Sequence, residues 1–181
     1  MSIEVKTVVR ILLVEDSEVR ASWFRMTAKG RRGDAARASV FRFVWAKAAG
    51  SAIGILKRDP GRVYAGILLD HDLMQQKITD HDAHYNGKDV VDAIIEHVDP
   101  SVPVWVHSAN ITEGPKMADR LRKAGFLVEQ AVFSHREPLA YQRWLNQAAE
   151  MAHEEMTENP LVKFRARMRA SARAKGGKRP A

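Results

Sequence analysis

Apolar residues fall along this chain in short blocks set apart by polar stretches. Val8 to Val14 (VVRILLV), Val40 to Trp45, Tyr64 to Leu69, Val102 to Val106 and Phe126 to Phe133 are rich in β-branched, leucine or aromatic residues. Each is of strand length. Ile67-Leu68-Leu69 has no polar alternation, which is the pattern of a strand buried on both faces of a parallel sheet. The intervening segments have helical spacing instead. Residues 18–29 follow Ser17, a suitable N-cap, and place Val19, Trp23 and Met26 on one stripe with Arg20 and Arg25 elsewhere on the surface. Ala48 to Lys57 is closed by Asp59-Pro60-Gly61, a turn signal. Gly87 to His97 carries Val90, Val91, Ile94 and Ile95, and Gly114 to Ala124 is stopped by Gly125, where a C-cap glycine belongs. Pro138 to Ala152 presents Leu139, Trp144 and Leu145, while Lys29 to Arg37 reads as a loop rich in Gly and Arg. Five strands alternating with five helices predict an α/β fold, a doubly wound five-stranded parallel sheet of order 2-1-3-4-5.

Charge changes the picture at one end. Eight Lys/Arg and no acids lie between Leu161 and Ala181; without them the 29 basic residues fall to 21, against 22 acidic ones. The net charge of +7 therefore belongs to the C-terminal segment. The predicted organisation is one domain over residues 1–153 and a basic tail over 154–181, partly helical or disordered. Residues 161–181 read most simply as a flexible solvated arm; because phosphate binding by Lys/Arg needs no fold, nucleic acid is a candidate partner for them. The absence of cysteine excludes disulfides, thiolate nucleophiles and thiolate-bound zinc, so a metal would take O or N ligands. Met1 to Arg10 carries Glu4, Lys6 and Arg10 in place of an apolar signal core, and no stretch approaches a membrane span; a cytoplasmic location and no membrane partner are expected.

Chemistry collects where strands stop. Glu15 and Asp16 follow the first strand, Asp70-His71-Asp72 the third, and His107-Ser108-Ala109-Asn110 the fourth. In the predicted order these strands are neighbours at the switch point, so their polar ends converge. Clustered carboxylates repel, and a hard cation such as Mg²⁺ relieves that while leaving positions for phosphate or water. Each group also has a plainer reading: Glu15-Asp16 as the acidic start of a helix, His71 and His107 as satisfied histidines at strand edges. Asp80-His81-Asp82-Ala83-His84 has the composition of a metal site but reads more simply as a solvated loop, and Trp23, Trp45, Trp105 and Trp144 read as packing residues.

Ile11 to Asp16 resembles the acidic pair that opens a response-regulator receiver domain, a flavodoxin-like fold. Leu69-Asp70 resembles its phosphoacceptor strand, and Ser108-Ala109 its switch hydroxyl with the small residue after it. The resemblance covers residues 8 to about 152. It implies that Glu15, Asp16 and Asp70 hold Mg²⁺ or another divalent metal, that Asp70 is phosphorylated by a phosphodonor kinase or binds metal, and that Ser108 and Asn110 contact a phosphoryl group. The receiver lysine is missing. Ser134-His135-Arg136-Glu137 precede Pro138, so either His135 or Arg136 substitutes for it or its role is lost, and Met74 stands where a proline is usual. Leu69-Asp70-His71-Asp72-Leu73 together with His107-Ser108-Ala109-Asn110 is similar to the variant group called cyclic-phosphate processing receiver domains. That similarity implies a phosphoesterase-like site for a phosphorylated small molecule, with Asp70, His71 and His107 catalytic and Asp72 an additional candidate. Two alternatives stand beside it: a phosphorelay response regulator acting through Asp70, and a non-catalytic platform whose tail grips nucleic acid.

Overall fold

The computed structural model describes residues 6–30, 33–73, 85–132 and 137–158. Five strands, β1 (Thr7–Val14), β2 (Ser39–Ala46), β3 (Gly66–Asp70), β4 (Val104–Ser108) and β5 (Val128–Val132), form one sheet of order β2-β1-β3-β4-β5. Every pairing is parallel. The helices are α1 (Glu18–Thr27), α2 (Asp34–Arg37), α3 (Ala49–Arg58), α4 (Gly87–His97), α5 (Glu113–Lys123) and α6 (Pro138–Glu158), with a 3₁₀ turn at Ala28–Gly30 after α1. This is the predicted doubly wound topology.

Each face of the sheet buries its own core. Leu12, Val14, Ile67, Leu69, Val104 and Val106 pack under α3, α4 and α5. The alternate positions Ile11, Leu13, Leu68 and Trp105 pack under α1 and α6, against Phe24, Tyr141, Trp144 and Leu145. β3 is buried at all five positions, as its unbroken apolar run requires.

The helices depart from expectation in instructive ways. Val19 and Met26 are 71% and 68% exposed, whereas Ala21, Phe24 and Ala28 are buried. α1 therefore turns nearly the opposite face to the sheet, and of the predicted stripe only Trp23 packs against the core. Its Ser17 cap holds as expected, accepting from the Arg20 amide at 3.4 Å. Leu139 is likewise exposed, while Trp144 and Leu145 are core residues. The predicted loop at 29–37 contains α2, whose Ala36 amide donates to Asn146 Oδ1 of α6 at 3.1 Å. α6 runs six residues past Ala152, to Glu158. Gly125 takes φ +92°, the left-handed conformation expected of a helix stop. The tail from Asn159 onward and the Asp80 to His84 cluster lie outside the described residues. No described helix is long and apolar enough to cross a membrane.

The phase of α1 can be tested by substitution. Phe24→Ala should cost about 3–5 kcal/mol in chemical denaturation, because a fully buried ring is lost, whereas Val19→Ala and Met26→Ala should each stay within about 0.5 kcal/mol of wild type.

Candidate metal and phosphate site

Side chains two apart on a strand share a face. Leu13, Leu68 and Trp105 face α1, so the residues two further along, Glu15, Asp70 and His107, continue that face beyond the apolar core. Asp70 and His107 are register partners on β3 and β4, and Val14 pairs with Leu69 on the other side. The convergence expected from the sequence is therefore present, and it is buried: Glu15, Asp16, Asp70 and His107 are each almost fully withdrawn from water.

Glu15 is fixed from every side. Its amide donates to the Ala46 carbonyl at 3.0 Å, and its carbonyl accepts from Trp45 Nε1 at 2.6 Å. One carboxylate oxygen accepts from the Ser17 amide at 2.8 Å and from Arg20 Nη2 at 2.7 Å. The other accepts from Arg20 Nε at 2.8 Å and lies 3.1 Å from His107 Nε2. Burial acts to raise the Glu15 pKa, but the hydrogen bonds from His107 and Arg20 outweigh it and bring it down to about 2. The His107 ring, 1% exposed, rests on Phe24 with the ring centres 4.6 Å apart.

Arg20 is the residue that the sequence reading assigned to the surface, and the structure corrects this. Its Nη2 lies 2.7 Å from Glu15, 3.0 Å from Asp16 and 2.6 Å from Asp70, so one nitrogen touches all three carboxylates. Its pKa is raised above the ordinary arginine value, chiefly by the hydrogen bond to Glu15. Arg20 supplies a cation at Asp70, the contact for which His135 or Arg136 had been expected; those two residues lie outside the described ones. A signal existed in the chain: Arg20 follows Asp16 by one helical turn, the spacing at which helix side chains meet.

Asp70 is less favourably placed than Glu15. Burial drives its pKa up to about 6; the nearby His107 opposes the rise, the Glu15 charge adds to it, and Arg20 opposes it. Its other oxygen accepts from the His71 amide at 2.7 Å. His71, its side chain 14% exposed, places Nδ1 2.7 Å from Asp72 Oδ1. The backbone here is pressed by α4: a Cβ on Gly87 would lie 2.8 Å from His71 Cα and 3.0 Å from the Asp70 carbonyl oxygen, so only glycine fits without a shift.

Ser108 follows Val104 and Val106 on the opposite face and meets α5, where a Cβ on Gly114 would come within 3.2 Å of its own Cβ. Its Oγ accepts from the Asn110 amide at 2.9 Å. Asn110 Oδ1 accepts from the amides of Thr112 and Glu113, both at 3.0 Å, and so holds the turn that leads into α5. These two candidate phosphate contacts thus serve the loop between β4 and α5 in this conformation.

Among the described residues, Glu15, Asp16 and Asp70 form a group whose carboxylate oxygens lie within 4.8 Å of one another. Three such oxygens suit a hard divalent cation. A parallel sheet of this order with buried acids at its carboxyl edge defines a receiver-type domain. The profile of the cyclic-phosphate processing receiver domain matches residues 11–123, more than half of the chain, and the protein belongs to that family.

Solved structures agree on the fold. A fusion carrying the yeast Spc42 trimeric coiled coil superposes with a TM-score of 0.57 at 14% identity, over 94% of this chain and 96% of that one. The Mn²⁺-bound form of response regulator Rcp1 gives 0.51 at 17% identity, over 76% and 89%. No curated protein matches the chain.

The Asp70 pKa has a consequence for stability. Its folded value of about 6 lies above the ordinary aspartate value of 3.8, so the native state holds the proton more tightly than the unfolded chain. The penalty is absent below about pH 4 and complete above about pH 6. In chelator-treated protein, the stability of Asp70→Asn relative to wild type should rise by on the order of 2–3 kcal/mol between pH 4 and pH 7.5. Urea denaturation across that range measures it, and a flat difference would refute the assignment.

Proposed function

We propose that this site hydrolyses a cyclic or otherwise esterified phosphate with the help of a divalent metal. The observation that carries this reading is the His71–Asp72 pair, 2.7 Å apart, directly after the buried Asp70, whose carboxylate accepts from the His71 amide. Phosphoacceptor chemistry needs no proton-transfer group, whereas ester hydrolysis does. With Nδ1 donating to Asp72, the remaining ring nitrogen of His71 is the one that can take a proton.

The donor set fits Mg²⁺ or Mn²⁺, and the Mn²⁺-bound form of Rcp1 lends support from a related fold. Glu15, Asp16 and Asp70 would hold the ion, which would supply positive charge to phosphoryl oxygens. His71 removes a proton from the attacking water as its oxygen bonds to phosphorus. The ester P–O bond breaks, and His71 returns the proton to the departing oxygen, leaving a phosphomonoester and a free hydroxyl. His107 is a positioning residue: enclosed beneath the site, it holds Glu15 in place.

A second reading, phosphorylation of Asp70, is favoured by one observation. Asp70 ends β3 with a cation 2.6 Å from its carboxylate. Two assays separate the readings. Turnover of 2′,3′-cyclic nucleotides with Mn²⁺ or Mg²⁺ should fall about 10²–10⁴-fold in His71→Ala; equal rates would remove His71 from the reaction. Incubation with acetyl phosphate and Mg²⁺ should leave no labile adduct on Asp70; an adduct without turnover would establish the second reading in its place.

A further inference from the structure

The geometry points to Arg20 as the resident cation of this site, one that leaves its place when a divalent ion binds and then serves as the clamp on the phosphate. This rests on the metal reading above and adds what that reading leaves out. Arg20 Nη2 stands within 3.0 Å of all three carboxylates that the ion would use. An ion such as Mg²⁺ draws its oxygen ligands to about 2.0–2.1 Å. A guanidinium nitrogen and such an ion therefore cannot share the point on which the three acids converge. Binding of the one requires departure of the other.

The placement of Arg20 allows that exchange. It lies in the first turn of α1, whose start is secured by Ser17 and whose body is anchored by Ala21 and Phe24, so the helix need not move. The side chain keeps 23% of its surface in contact with solvent, unlike the acids beneath it. The part of Arg20 that already reaches solvent gives it somewhere to go when it leaves the acids. Glu15 keeps the Ser17 amide and His107 when Arg20 leaves, so its orientation does not depend on the arginine alone. A released guanidinium is a planar fork of donors matched to phosphoryl oxygens. Metal and phosphate are then coupled through one side chain: the ion frees the clamp, and phosphate holds the clamp away from the acids.

The test compares Mn²⁺ binding by full-length wild type, Arg20→Ala and Arg20→Gln, followed by calorimetry and by the spin resonance of free Mn²⁺. Circular dichroism selects a folded variant; Arg20→Gln retains most of the stem and serves if the alanine variant is unstable. The expected result is at least tenfold tighter Mn²⁺ binding without the arginine, abolished by adding Asp70→Asn. Inorganic phosphate should tighten Mn²⁺ binding severalfold in wild type and distinctly less in the variant. Folded variants that bind Mn²⁺ no more tightly than wild type overturn the role of Arg20 and leave the metal reading standing. Tightening that survives Asp70→Asn comes from elsewhere and also overturns it. If neither wild type nor variant binds Mn²⁺, the metal reading fails and this inference fails with it.

Discussion

Three carboxylates withdrawn from water within 4.8 Å of one another are the constraint on which the rest of this structure turns. Burial of like charges is tolerated only when opposite charge and hydrogen bonds are supplied at the same place. Arg20 brings the charge from α1, His107 brings a ring nitrogen from β4, and the Ser17 and His71 amides bring two further donors. The supply is unequal. Glu15 receives most of it and its pKa falls to about 2, while Asp70, with fewer partners, rises to about 6. Two acids of nearly the same chemistry are thereby set apart by their surroundings, which is how neighbouring carboxylates come to play different parts at one pH.

The two faces of the sheet divide the work. The face under α1 and α6 is packed with aromatic rings, Phe24, Trp105, Tyr141 and Trp144, and ends in Glu15, Asp70 and His107. The rigidity of that packing reaches the site directly, because Phe24 touches the His107 ring and Arg20 stands one turn before Phe24 on the same helix. The face under α3, α4 and α5 is mostly aliphatic, with Tyr64 and Phe126 its buried rings, and ends in Ser108, whose Oγ accepts from Asn110 in the β4–α5 connection. Chemistry and the loop that frames it thus rise from opposite sides of one sheet. Gly87 lets α4 press on the backbone of Asp70 and His71.

Membership of the cyclic-phosphate processing receiver family places this site among variants of a signalling fold. What distinguishes it from a bare acidic pocket is the number of groups able to handle protons or positive charge around Asp70. His71, paired with Asp72, follows Asp70 directly, His107 Nε2 lies 3.1 Å from Glu15, and Arg20 reaches all three acids. A phosphoacceptor aspartate needs no histidine beside it, and His71 with its Asp72 partner is the basis of the hydrolytic proposal.

Strand order, the burial of β3 and the meeting of Glu15, Asp16 and Asp70 were legible in the chain, because unbroken apolar runs and the turns between them leave few ways to wind a parallel sheet. The phase of α1 was not. Val19, Trp23 and Met26 make one apolar stripe and Ala21, Phe24 and Ala28 another on nearly the opposite face of the helix, and periodicity alone cannot choose between them. Long-range packing chose, since only the second stripe lets Phe24 enter the aromatic core and swings Arg20 over the strand ends. The partner of His107 was equally out of reach, because it depends on the β3–β4 register and on the turn that points Glu15 toward β4. Local pattern by itself determined where the acids would gather. Only the tertiary structure decided which cation stands among them, because that choice is made by contacts between elements and not within any one of them.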